Sequence, residues 1–316
     1  LRAETGDLVM NMQSNGGQHT FTGAAYVGNG VGIREVLQMD VNLVLRSEQD
    51  ATGLLHLNSG FVSIHDFAQD AALVVEGTSL IRTTGTNPED RIGFGSQGVN
   101  TIAGTLEVDG ETWFVPGTQF IGEGTIEAVS TVKRTFFQEG SDLADVGFSS
   151  VGEVNLWSMF QNGTATMRAM SLGDTATLTV DMGDHFDVIN SERYIVHDEA
   201  ALAGTLELSW NGNGAAPVGQ TVTILEAGTV TGAFDAIDDS GLGDNRRAYV
   251  TVTQDSVEVF ITCAADLNAD GVADIFDVTM FLNLFDAMDP SADLNDDGLY
   301  DFFDVLFFLN TFDEGC

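Results

Sequence analysis

The sequence predicts a mainly β chain, a parallel β-solenoid or β-helix with a closing sheet, followed by a small all-α unit. Three observations carry this. Before Cys263, short apolar/polar alternations are bounded by Gly, Asn and Asp, and helical periodicity is scarce. The alternations often return after roughly 20 residues, a spacing typical of solenoid coils. After Cys263 the texture changes to acidic loops, each followed by an amphipathic helical pattern.

Composition bounds the function. The 316 residues hold 11 Lys+Arg against 48 Asp+Glu, a formal charge of −37. Nucleic-acid affinity comes mainly from Lys and Arg releasing condensed counterions, and Lys133 is the only lysine, so a nucleic acid or other polyanionic partner is excluded. Hydrophobic residues make up 43%, too many for a disordered acidic chain. No apolar run approaches the ~18 residues that span a bilayer, so no membrane insertion is expected. Leu1-Arg2-Ala3-Glu4 has neither an initiating Met nor a charged-then-apolar leader, and reads as a processed or truncated N-terminus.

Residues 1–185 are expected to form the solenoid coils. The theme is a small residue at a corner, then a β-branched or polar residue, then an inward apolar one. It appears in Thr52–Leu57, Ala103–Val108, Gly124–Val129, Ala176–Val180 and Ala203–Leu208. Copies recur from Leu54 to Leu73 and from Leu106 to Ile126. One coil cannot bury its apolar row alone; stacked rows build an elongated core while Gly, Asn and Asp turn the corners. The competing reading is a large β-sandwich, whose strands also recur every 8 to 12 residues or so.

Residues 186–262 hold a further series: Phe186-Asp187-Val188-Ile189, Ala203–Trp210, Gly219–Leu225, Gly232-Ala233-Phe234-Asp235 and Tyr249-Val250-Thr251-Val252. This segment resembles the terminal portion of secreted bacterial passenger-type β-helix proteins. There the late coils flatten into a closing sheet, which protects an otherwise open edge.

The most specific signal follows. Asp266-Leu267-Asn268-Ala269-Asp270-Gly271-Val272-Ala273-Asp274-Ile275-Phe276-Asp277 recurs as Asp293-Leu294-Asn295-Asp296-Asp297-Gly298-Leu299-Tyr300-Asp301-Phe302-Phe303-Asp304. Both match a calcium loop with oxygen ligands at about positions 1, 3, 5, 7, 9 and 12 and a turn-permitting Gly at position 6. The expected ligands are the side chains of Asp266, Asn268, Asp270 and Asp277, the carbonyl of Val272, and Asp274 directly or through water. In the second loop they are Asp293, Asn295, Asp297, Asp304, Leu299 and Asp301. The unit 263–316 carries twelve Asp and one Glu with no Lys or Arg. Its self-repulsion predicts that calcium binding is coupled to folding.

Each loop is followed by one apolar helical stripe, Val278, Phe281, Leu282 and Phe285, mirrored by Val305, Phe308, Leu309 and Phe312. A duplicated loop-plus-helix unit ending each loop in Asp, opened by Cys263 and closed by Gly315-Cys316, resembles a dockerin module, an EF-hand-like unit. The resemblance implies two Ca2+ ions and a secreted, extracellular or cell-surface chain attached through a cohesin-like or other surface protein. It also brings the ends of the unit together, which suits a Cys263–Cys316 disulfide in an oxidising compartment; two free thiols are the alternative. The sequence departs from better-known dockerins at the partner-contacting positions, where Ile275-Phe276 and Phe302-Phe303 replace small polar residues. Tyr300, Phe302 and Phe307 either form an exposed docking patch or pack on the β region.

β-Helices also host polysaccharide lyases and hydrolases. The nearest carboxylate constellation is Asp181-Met182-Gly183-Asp184-His185-Phe186-Asp187, in which Asp184 and Asp187 are weak catalytic candidates. Asp238-Asp239 reads as a loop. His19, His56, His65, His185 and His197 show no metal-ligand spacing, Asn162-Gly163-Thr164 is a sequon or a turn, and Trp113, Trp157 and Trp210 are either core residues or a sugar-stacking platform. The expected function is therefore a non-catalytic surface or extracellular-matrix protein attached or assembled by a calcium-binding module. The alternatives are a tethered polysaccharide-degrading enzyme and a self-assembling filament or layer subunit.

Overall fold

The computed structural model describes residues 101–316, except 116, 139, 158–162, 184–191, 213 and 295–296, and only strand segments before residue 101. The side chains of residues 144 and 157 are also outside the description. The chain is mainly β, with parallel and mixed sheets, and ends in two helices.

Strands pair in parallel with later strands of the chain, along three ladders. One runs through Gln18–Thr22, Asn42–Arg46, Leu73–Glu76, Val99–Ile102 and Gln119–Ile121. A second runs through Ala24–Val27, Gly53–Leu57, Thr78–Thr83, Thr105–Asp109 and Thr125–Ala128. These two fuse at Asp142–Ser150, a long strand that pairs with both Gln119 and Thr125–Ala128. The third forms a separate sheet from Val36–Met39 through Arg91–Gly95, Arg134–Gln138 and Thr177–Asp181 to Ala236–Gly241.

Alternation in sequence becomes alternation in burial. Leu106 and Val108, Ile126, Leu178 and Val180, and Leu206 and Leu208 all point inward and are buried. Parallel register stacks these side chains in rows, such as Leu106, Ile126, Phe148, Met170 and Ala200 in adjoining strands. Opposite them, Phe94, Phe114 and Phe137 form a stack with ring centroids 5.2 and 4.7 Å apart. Phe120 and Phe148 meet that stack edge-on from the other sheet, so the two sheets share one core. The register refines the expected repeat. Leu106 does pair with Ile126, but Leu54 pairs with Leu80 and Leu73 with Leu43, because two ladders interleave.

Corners are held by backbone proximity and by hydroxyls. A Cβ on Gly124 would lie 2.1 Å from the Gly104 carbonyl oxygen, and one on Gly204, at φ +74°, 2.2 Å from that of Ala176. Only glycine admits such an approach of neighbouring turns. Thr118 and Ser141 donate side-chain hydrogen bonds to the carbonyls of Phe94 and Phe114 one turn earlier, each at 2.9 Å.

The parallel succession in the larger sheet stops at Gln220–Gly232. That strand pairs antiparallel with Ser256–Thr262, which pairs antiparallel with Arg247–Val252. Thr262 then leads directly into Cys263. Beyond it lie helix α1 (Ile275–Asp286), a 3-10 turn at Pro290–Ala292 and helix α2 (Phe302–Glu314). A second hydrophobic cluster, separate from the β core, joins Cys263, Ala265, Leu267, Phe281, Ala292 and Phe308. Among the described residues no helix is long and apolar enough to cross a membrane.

Candidate metal centre

The loops at 266–277 and 293–304 are built alike. In the first, Asp266 Oδ1 accepts from the Asp270 N–H at 3.2 Å and Oδ2 from the Gly271 N–H at 2.8 Å. In the second, Asp293 Oδ1 accepts from Asp297 at 3.1 Å and Oδ2 from Gly298 at 2.8 Å. Asp270 and Asp297 then accept from the N–H two residues on, of Val272 and Leu299. Gly271 and Gly298 take φ of 86° and 76°, which lets each loop fold back on its first carboxylate.

The last carboxylates close the loops and start the helices. Asp277 Oδ1 accepts from Leu267 and Asn268, and Oδ2 from Asp274. Asp304 does the same to Leu294 and Asp301. Asp274 and Asp301 are N-caps, each forming a reciprocal capping box with Asp277 or Asp304. Acidic side chains at a helix N-terminus are also favoured by its dipole. Asp266, Asp277 and Asp304 are fully buried. Asn295 lies outside the described residues.

The donor set suits a hard divalent cation. Each loop offers carboxylate, amide and carbonyl oxygens, without nitrogen or sulfur ligands, and residues 263–316 contain no Lys or Arg to neutralise them. Among the described residues, no three His, Cys, Asp or Glu side chains converge as a metal-holding group; the carboxylates are turned onto backbone N–H donors instead. A carboxylate oxygen that accepts one N–H keeps a lone pair for a cation.

The helices press together through Phe281 and Phe308, whose rings stack with centroids 4.4 Å apart and planes within 2°. The expected stripe is corrected at one position in each helix. Leu282 and Leu309 are 57% and 53% exposed, and Leu284 packs on the core in place of Leu282. Ile275, Phe276, Phe302 and Phe303 are also exposed, whereas Tyr300 packs into the cluster of its own unit. Cys263 and Cys316 are joined by a disulfide with Cα atoms 4.9 Å apart.

Four hydrogen bonds between the β region and residues 263–316 were not foreseen from the sequence. The Thr262 hydroxyl donates to Asp266 Oδ2 at 2.6 Å, and the Tyr249 hydroxyl to the Asp266 carbonyl at 2.9 Å. Asn245 accepts from the Ala264 N–H and donates to Glu314. Tyr249 reaches Asp266 because Tyr249 is in register with Phe260 on the neighbouring strand, a pairing that local sequence does not reveal. Burial pushes the Tyr249 phenol up, with Arg247 opposing and Asp266 and Asp277 adding to the rise.

The other candidates are dispersed. Asp184, His185, Asp187 and Asn162 lie outside the described residues, as does the Trp157 side chain. Asp181 caps the Gly183 N–H, Asp238 caps Ser240, and Asp239 accepts from Ala248, all structural uses of a carboxylate. Trp113 stacks on Phe136 and donates to Glu111, and Trp210 covers Gly183 and Gly212. His197 is exposed. No family model, curated protein or solved structure matches this chain.

Proposed function

We propose that this chain is a secreted, non-catalytic surface or extracellular-matrix protein: a parallel β-solenoid stalk carrying a dockerin-like module that binds two Ca2+ ions and mediates attachment. The observation that carries the reading is the duplicated loop, in which the same carboxylates hold the same backbone N–H groups and cap the following helix. Asp266, Asn268, Asp270, Asp274 and Asp277, with the Val272 carbonyl, would hold one ion. Asp293, Asn295, Asp297, Asp301 and Asp304, with the Leu299 carbonyl, would hold the other. Bound calcium supplies the positive charge that this stretch lacks, and so couples its own binding to folding.

The stalk reading is supported by the three interleaved parallel ladders and their in-register apolar rows. The closing antiparallel strands then serve as the cap that a stack of coils requires. Secretion is supported by the disulfide, which persists in oxidising compartments.

Attachment is supported by apolar side chains presented twice at equivalent places: Ile275, Phe276 and Leu282 on one helix, Phe302, Phe303 and Leu309 on the other. A cohesin-like or other surface protein with an apolar groove and a basic rim would complement them and the acidic loops between them. The test is calcium titration calorimetry of the whole chain. Asp277→Ala with Asp304→Ala removes both high-affinity events while leaving the β circular dichroism signal intact. Two unchanged events in that variant would sink the assignment.

A further inference from the structure

The two loops share an internal design but differ in what surrounds them. Asp266 is fully buried, and it sits directly behind the closing β strands. Its Oδ2 takes two donors, the Gly271 N–H at 2.8 Å and the Thr262 hydroxyl at 2.6 Å. Both lone pairs of that oxygen are then engaged, while Oδ1 accepts from Asp270 and keeps one for a cation. The Tyr249 hydroxyl fixes the backbone of the same residue through its carbonyl. Asp293, the counterpart, is only half-buried, and among the described residues no side chain from outside its loop donates to it.

From this asymmetry we infer that Thr262 and Tyr249 are positioning residues that make the first loop the tighter calcium site and tie its occupancy to the closing strands of the β region. The inference rests on the calcium reading above. A ligand side chain whose rotamer is already fixed by outer donors loses less freedom when a cation arrives. Removing such partners typically costs about 10- to 100-fold in metal affinity. Thr262 is itself buried in the last strand, Ser256–Thr262, so an ion that holds Asp266 also holds that strand against Tyr249. By linkage, whatever stabilises the strand end also strengthens binding in the first loop.

The experiment is calcium chloride titration of the full-length chain by calorimetry, paired with amide hydrogen exchange over residues 256–266. Thr262→Val keeps the shape and removes the donor; Thr262→Ser restores the donor. In an Asp304→Ala background, which isolates the first loop, Thr262→Val weakens calcium binding by about tenfold or more, and Thr262→Ser recovers most of it. In an Asp277→Ala background, which isolates the second loop, Thr262→Val changes nothing. Tyr249→Phe acts in the same direction as Thr262→Val, which guards against a misfolded valine variant. Calcium slows exchange over residues 256–266 in the parent chain and less in both variants. Two calcium events in the parent that neither Thr262→Val nor Tyr249→Phe moves would overturn this inference while leaving the calcium reading intact. Equal weakening of both loops would also overturn it, because the effect would then be general. Absence of any calcium event in the parent would instead remove the reading beneath it.

Discussion

Replacing Phe281 by Ala asks whether the helical unit is held by its own small core. Among the described residues that core has two large fully buried side chains, Phe281 and Phe308, each 1% exposed and stacked at 4.4 Å. Truncating a buried Phe typically costs about 3–5 kcal/mol, the lost transfer energy plus the cavity left behind. A folded unit of about fifty residues has about 3–8 kcal/mol in total at typical stabilities. The substitution therefore removes most of what holds residues 263–316, and the Phe285 ring, 5.6 Å from that of Phe281, loses its support. The β core is a separate cluster and should be spared. Calcium at about 100 times its Kd returns about 2.7 kcal/mol per site, so two sites offset the loss. Differential scanning calorimetry and near-ultraviolet circular dichroism, with chelator and with saturating calcium, read this directly. The expected result is an early transition confined to the helical unit in chelator, largely reversed by calcium. A single transition shifted for the whole chain, or no shift, would refute the reasoning.

Further expectations concern the β region and the crosslink. Gly204→Ala forces a Cβ to 2.2 Å from the Ala176 carbonyl at a positive φ and should destabilise the β region by about 3 kcal/mol, read from denaturant midpoints. Tyr194 is fully buried, and among the described residues nothing accepts from its hydroxyl, so Tyr194→Phe should gain about 1 kcal/mol at neutral pH in chemical denaturation. Burial first and the Glu192 charge second raise the Tyr194 phenol, so the folded chain keeps this proton to higher pH than the unfolded chain does. Its contribution is full below about pH 10 and falls as pH rises further; melting curves across that range should decline less steeply in Tyr194→Phe. Opening the Cys263–Cys316 crosslink, which spans 53 residues, should cost the helical unit about 4 kcal/mol on the chain-entropy model. Calorimetry of Cys316→Ser should show that loss in the helical transition alone.

Local chemistry made much of this fold legible. Period-two alternation identified Leu106–Val108, Leu178–Val180 and Leu206–Leu208 as inward-facing, because a strand's side-chain direction is set by adjacent residues. The glycines at loop positions six were also readable, since each acts within a few residues of itself, whereas Asp274 and Asp301 read in the sequence only as ligands and the structure adds that they cap the helices. Partner choice among strands was not legible. Leu54 joins Leu80 rather than Leu73 because successive segments alternate between two interleaved ladders, and no local pattern encodes that. The exposed Leu282 and Leu309 were misassigned because a helical stripe gives the apolar width and not which edge a partner covers. Thr262 and Tyr249 escaped notice because their role arises where the last strand meets the first loop, a junction of two otherwise separate patterns.

The central claim is that calcium binds and stabilises the C-terminal unit for attachment, and the most direct test is calcium titration of the intact, disulfide-bonded chain after chelation. The account predicts two bound ions per chain, a gain of near-ultraviolet signal from the stacked aromatics, and loss of both in Asp277→Ala with Asp304→Ala. Failure of the parent chain to bind calcium, or binding that survives the double substitution unchanged, would contradict it.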